Sequence, residues 1–148
     1  MSATPVMPAR QVWLFQLGCW VSCAVAVLHA VMHVVGRADL SPHAQAGLAM
    51  LSPGYVIPVP GGGEPTFLGV VNALSLTAAL SFATIGAAGL AVVRQHDFTP
   101  RLLRGVAGAF ALGTGLMLVV SIALAFSLQT FVLALVPICF GLACVPEE

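Results

Sequence analysis

The sequence predicts an all-α fold: an integral membrane four-helix bundle with a Pro/Gly-rich extracytoplasmic loop between helices 1 and 2. Three observations carry this reading. The 148 residues include no lysine, and five arginines with five acids make only 7% of the chain charged. Hydrophobic residues make up 59% of it, with a mean hydropathy of +1.05. The few charges also fall in narrow bands, leaving four long apolar stretches. A soluble domain of this size covers its surface with polar side chains. This composition cannot, and lipid is the solvent that fits it.

The spans follow from the uncharged runs. A spanning helix needs roughly 20 apolar residues. Four are expected, at approximately 12–36, 67–94, 102–127 and 129–146, within a single domain over residues 1–148. The first three are long enough to cross with some tilt. The fourth is short and holds Pro137, but no other arrangement buries the stretch from Phe131 to Val145. The first run is longer than the roughly 7–15 residues of a signal-peptide core. Gln16 also stands where a lipoprotein cleavage box needs an apolar residue, so span 1 is expected to be retained.

Four spans place both termini on one side. Arg10, Arg94, Arg101 and Arg104 fall on that side, and only Arg37 falls on the other. The excess of positive charge marks the cytoplasm. The chain is therefore expected in a bacterial inner membrane with cytoplasmic termini and with the loop 37–66 outside.

That loop carries Pro42, Pro53, Pro58, Pro60, Pro65 and the run Gly61-Gly62-Gly63. Pro42 to Leu51 reads as a short helix, with Ser41 as its cap and Pro42 at its first position. Tyr55-Val56-Ile57 is apolar enough to dip into the interface, and Val59 to Pro65 is rich in turn residues. Span 2 ends near Arg94-Gln95. Thr99-Pro100 starts span 3 as cap and first helical residue. A tight turn is expected at Ser127 to Thr130.

Small residues recur every four positions. Gly105, Ala109 and Gly113 form one row on span 3, and Gly69, Ala73, Thr77 and Ser81 another on span 2. Such rows let helix backbones approach closely in lipid. Two readings stand: packing inside the bundle, or an interface with another subunit.

Chemistry-bearing residues are few. His29 and His33 lie four apart, on one face of span 1 near its outer end. At about 1.5 Å per residue they sit roughly 10 and 5 Å below the boundary, near the level of Asn72, Ser75 and Ser121. Asn72, Ser75 and Ser121 are therefore expected to form a structural polar cluster with the histidines, because polar groups in lipid must face inward and find partners. His43, Asp39 and Glu64 stand in the loop above. Several roles remain open. The histidines could pin the outer loop through hydrogen bonds. They could bind zinc or copper, with His29, His33 and His43 as nitrogen ligands and Asp39 or Glu64 beside them. They could hold haem, which would require a loop ligand or a second chain. They could also bind a ligand or relay protons.

Cys19 and Cys23 share a face of span 1, while Cys139 and Cys144 lie on span 4. No Cys-x-x-Cys spacing occurs, and buried small thiols are expected rather than a redox pair. Trp13, Phe15 and Trp20 cluster near the start of span 1. Trp13 suits an interfacial belt, and Trp20 suits lipid, a partner or a pigment. The loop from Arg94 to Arg104 could attract anionic head groups. No nucleotide loop, nucleophile elbow or metalloprotease helix is present.

The string Leu28-His29-Ala30-Val31-Met32-His33-Val34-Val35-Gly36 resembles the end of the first span in a family of small bacterial four-span membrane proteins of unassigned activity. The likeness covers about residues 15–95 and rests on the His-x-x-x-His followed by Gly. The family's motif usually has Gly just before the second His, where this chain has Met32. The resemblance implies a fold and no reaction. The functional expectation is a non-catalytic accessory or scaffold subunit of a larger membrane complex. Its partners would be membrane lipids, bound lipid included, and other membrane subunits or further copies of the chain, with no nucleic acid. The alternatives are a metal- or haem-binding redox or transport protein using the His29/His33 face, and an enzyme acting on a lipid or quinone in the outer leaflet.

Overall fold

A computed structural model of the chain describes residues 9–38, 41–43, 45–46, 56, 66–95, 99–124 and 128–146. The fold is all-α. Four long helices follow one another: α1 (Ala9–Ala38), α2 (Phe67–Val93), α3 (Pro100–Leu124) and α4 (Leu128–Cys144). Three of them, α1, α2 and α3, are long and apolar enough to cross a membrane. α4 has 17 residues with Pro137 inside it, a rise of about 26 Å against a hydrocarbon core of about 30 Å. Large apolar side chains lie outward along the helices, with Leu112 70% and Leu74 66% exposed. Water would not tolerate that surface and lipid does; this is an integral membrane protein.

The helix ends show why the chain breaks where it does. Thr99 caps α3: its Oγ1 accepts the amide of Leu102 at 3.2 Å, and its carbonyl accepts the amide of Leu103 at 2.9 Å. Pro100, with no amide hydrogen, is at home in the first turn. α2 starts the same way on Thr66, whose Oγ1 accepts the amide of Gly69 at 3.1 Å. That cap was not anticipated, although a Thr directly before an apolar run is its usual signature. α2 gives way to a turn at Arg94 and Gln95, as expected. In the loop, the amide of Gln45 bonds the Ser41 carbonyl at 2.9 Å. Residues 42–43 and 45–46 are helical, in keeping with a helix opened by Ser41-Pro42, whose remainder to Leu51 lies outside the described residues. Val56 forms an isolated antiparallel bridge to Thr66; Tyr55 and Ile57 lie outside the described residues. One boundary is corrected. Leu128 to Thr130 belong to α4 rather than to a turn, because nothing in Leu-Gln-Thr forbids helix and each residue placed there satisfies a backbone amide that lipid would leave bare.

The chain divides into two compact units, one of residues 1–25 with 82–148 and one of residues 26–81. The first is itself a bundle, built from the N-terminal half of α1, the C-terminal part of α2, α3 and α4. At its centre three rings meet. Phe15 lies 6.2 Å from Phe110 and 5.5 Å from Phe140, and Phe110 and Phe140 meet edge to face at 5.2 Å. Phe15, grouped in the sequence with the two tryptophans, is fully buried, whereas Trp13 and Trp20 are exposed. Leu103, Ala107 and Val136 complete the core.

Glycines and thiols set the spacing around these rings. A Cβ on Gly18 would stand 2.9 Å from the Phe140 ring. One on Gly86 would meet Cys23 Sγ and come within 2.7 Å of the Cys19 carbonyl oxygen, and one on Gly89 would meet Cys19 Sγ. All four cysteines are free, and Cys19 and Cys23 act here as small apolar side chains set against glycine. Gly105 and Gly113 behave differently: a Cβ on either meets nothing within 4 Å.

These two kinds of glycine should respond oppositely to substitution. Gly86→Ala must displace the α1 backbone at Cys19 and is expected to cost about 1–3 kcal/mol. Gly105→Ala meets nothing and gains helix propensity, so it should stabilise the monomer by about 0.5–1 kcal/mol. Denaturation in mixed micelles, followed by circular dichroism, measures both.

Candidate functional site

The second unit contains the arrangement with the most chemistry. It holds the C-terminal part of α1, the loop and the N-terminal half of α2. Helical spacing puts His29 and His33 one above the other on α1. Opposite them on α2 stands Ser75. His29 Nε2 lies 2.8 Å from Ser75 Oγ, and His33 Nδ1 lies 3.2 Å from the same oxygen. All three residues are half-buried. The histidines and Ser75, expected to converge from depth alone, do so.

Ser75 departs from the habit of the other hydroxyls. Ser22, Thr77, Ser81, Thr114 and Ser121 each donate to the carbonyl four residues earlier in their own helix, at 2.6–2.8 Å. This is how an isolated hydroxyl satisfies itself in a helix. Among the described residues the Ser75 hydroxyl bonds the two imidazoles and no backbone carbonyl. It therefore ties α1 to α2 in this unit.

The other expected members make no hydrogen bond to these three among the described residues. Asn72 is half-buried one turn before Ser75 and has partners of its own. Ser121 belongs to the first unit, where its hydroxyl bonds the Met117 carbonyl at 2.8 Å. His43 is exposed in the loop. Asp39 and Glu64 lie outside the described residues, as does His96. Among the described residues no three His, Cys, Asp or Glu side chains gather as a metal site would require. His29 and His33 with Ser75 offer two nitrogens and one hydroxyl oxygen. Structural zinc calls for four ligands from nitrogen, sulfur or carboxylate, and catalytic zinc for three.

One polar residue was not legible beforehand. Gln11, at the start of α1, is 2% exposed. Its Nε2 donates to the Val145 carbonyl just past the end of α4, supplying one of the bonds that a helix C-terminus lacks. Its Oε1 is buried without a hydrogen-bond partner among the described residues. The signal was there in a single amide side chain at the threshold of an apolar run.

The small-residue row on α3 faces outward: Gly105, Ala109 and Gly113 are all exposed. At the N-terminal end of that helix a groove of about 570 Å³ runs past Gly105, Val106, Ala109 and Phe110, with Thr99 and Arg101 among its walls. The row on α2 is also largely exposed, with Thr77 and Ser81 satisfied within their own helix.

Comparison with known proteins finds no family model, no curated protein and no solved structure that matches this chain.

Removing the shared hydroxyl tests its structural weight. Ser75→Ala leaves two imidazole nitrogens without their partner, and hydrogen bonds between membrane helices are worth about 0.6–2 kcal/mol. A loss of stability in that range is expected, with most of it recovered in Ser75→Thr, as read by the same micellar denaturation. A Ser75→Ala variant as stable as the parent would show that the bond holds nothing together.

Proposed function

We propose that this protein is a non-catalytic accessory or scaffold subunit of a larger membrane complex. The observation that carries the reading is the pair Gly105 and Gly113. Glycine inside a helix costs about 0.5–1 kcal/mol relative to alanine. Gly18, Gly86 and Gly89 have an internal reason for it, since a Cβ there would collide with a neighbouring side chain or backbone. Gly105 and Gly113 have none, because the space where a Cβ would stand is open. With Ala109 between them they make a shallow strip on an exposed helix face. In lipid, where apolar side chains gain nothing from one another by leaving water, close backbone approach is the main source of helix association. The occupant this strip suits is a transmembrane helix of another subunit, seated against Gly105, Ala109 and Gly113.

Arg101 and Arg104, both exposed at the same end of α3, favour a partner with an acidic residue near the corresponding end of its helix. Two copies of this chain packed in parallel on this strip would set these arginines against each other, which disfavours a homodimer of that kind. The arginine asymmetry supports an orientation with both termini in the cytoplasm of a bacterial inner membrane.

Native mass spectrometry from mild detergent tests the association directly. A stable hetero-complex is expected, and a lone monomer would sink the proposal. Gly105→Leu with Gly113→Leu should weaken that complex by at least about 30-fold, roughly 2 kcal/mol. The monomer should still fold normally, since neither position has a neighbour to displace. Orientation is checked separately by reporter fusions at residues 1 and 148, both of which should report cytoplasm.

A further inference from the structure

We propose that His29, Ser75 and His33 form a proton relay, a site that carries one exchangeable proton along one turn of α1. The argument is a count of hydrogens. Two ring nitrogens face a single hydroxyl oxygen, at 2.8 and 3.2 Å. A hydroxyl has one hydrogen to give and two lone pairs. If both imidazoles donated, the Ser75 hydrogen would need another acceptor, and among the described residues its hydroxyl bonds nothing else. If neither donated, one of the two contacts would have no hydrogen in it. One imidazole therefore donates to Ser75 Oγ while the other accepts from it.

The two tautomers are thereby locked together. In one state His29 Nε2–H donates to Ser75 Oγ, and Ser75 O–H donates to His33 Nδ1. His29 Nδ1 then carries a free lone pair, and His33 carries its proton on Nε2. In the other state every one of these roles is reversed. Passing between them moves one proton through the site. A proton arrives at His29 Nδ1, and the Nε2 proton passes to Ser75 Oγ. The serine proton passes to His33 Nδ1, and the Nε2 proton of His33 departs. In all, three hydrogen–heteroatom bonds form (His29 Nδ1–H, Ser75 O–H, His33 Nδ1–H) and three break (His29 Nε2–H, the original Ser75 O–H, His33 Nε2–H), no electron changes hands, and the net charge is restored. The site resets by the reverse passage, or by rotation of the hydroxyl with exchange of both tautomers. The displacement along the helix is about 6 Å, four residues at 1.5 Å.

The surroundings suit a single proton. Between Ala26 and His33 on α1, and along Phe67–Ser81 on α2, these two histidines are the only titratable groups. His43 is exposed in the loop; Arg37, Asp39 and Glu64 have no described side chains. Ionisable groups within membrane segments commonly mark proton routes.

The test uses the full chain, ¹⁵N-labelled at histidine, in phosphatidylcholine nanodiscs. Nitrogen NMR of the assigned His29 and His33 rings reads the tautomer of each. The expected result is His29 Nε2 and His33 Nδ1 always of opposite type, with exchange cross-peaks that interchange the two tautomers in concert. Ser75→Thr should preserve this behaviour. Ser75→Ala should uncouple the rings, so that each takes its tautomer independently, and should slow the tautomer exchange by about 10²-fold. Rings whose tautomers vary independently in the wild type would overturn the relay. So would a single tautomer that never exchanges, or spectra in which Ser75→Ala changes neither coupling nor exchange. Because folding is read from circular dichroism of the same nanodiscs, and Ser75→Thr retains the hydroxyl, loss of the fold cannot be mistaken for either result.

Discussion

The absence of water along the helices is the constraint on which the rest of this structure depends. Each backbone amide must find a carbonyl within the chain, and every side-chain hydrogen must be given a destination. Most of the hydroxyls solve this locally, turning back to the carbonyl one turn earlier. A histidine cannot do so with both nitrogens. Two of them on one helix face therefore require a partner from another helix, and Ser75 gives up the local solution to provide it. Where α1 starts and α4 ends, Gln11 donates to the Val145 carbonyl by the same necessity.

Close packing follows from the same solvent. With no hydrophobic force to bring helices together, contact area has to come from shape. Around Phe15, Phe110 and Phe140 it comes from removing side chains. Gly18 admits the Phe140 ring, and Gly86 and Gly89 admit the thiols of Cys23 and Cys19. The cysteines are suited to this seam because sulfur is polarizable and the side chain short. Their pairing with glycine also explains why Cys19 and Cys23 recur four residues apart, with no need for disulfide chemistry.

The fold was legible because composition and run length are direct readouts of lipid. Uncharged runs located all four helices, and Thr99-Pro100 marked a start to the residue. Boundaries slipped where the chain gave no punctuation: α4 begins at Leu128 because Leu128, Gln129 and Thr130 contain neither Pro nor Gly to stop it. The His29–Ser75–His33 group was legible from depth, which turns sequence distance into height along parallel rods. Depth says nothing about rotation, however, so it could not separate Ser75, which faces the histidines, from Asn72 and Ser121, which have partners of their own. Rotation also hid Phe15, since aromatic residues at a helix start look alike whether they turn to lipid, as Trp13 and Trp20 do, or to the core.

Rotation decides what the α3 row signifies as well. A row of small residues reads identically in the sequence whether it faces inward or outward, and here it faces outward. Lipid alone does not account for that. Acyl chains are fluid and conform to any surface, so a lipid-facing position places no demand for glycine. Leu112, Leu116 and Val119 on the same helix show what such positions ordinarily hold. A helix, by contrast, is rigid, and it gains contact only where the opposing backbone is uncovered. Two glycines one turn either side of an alanine, each costing helix stability and relieving no internal crowding, are what the proposed partner helix would use, and a fluid solvent makes no demand for them.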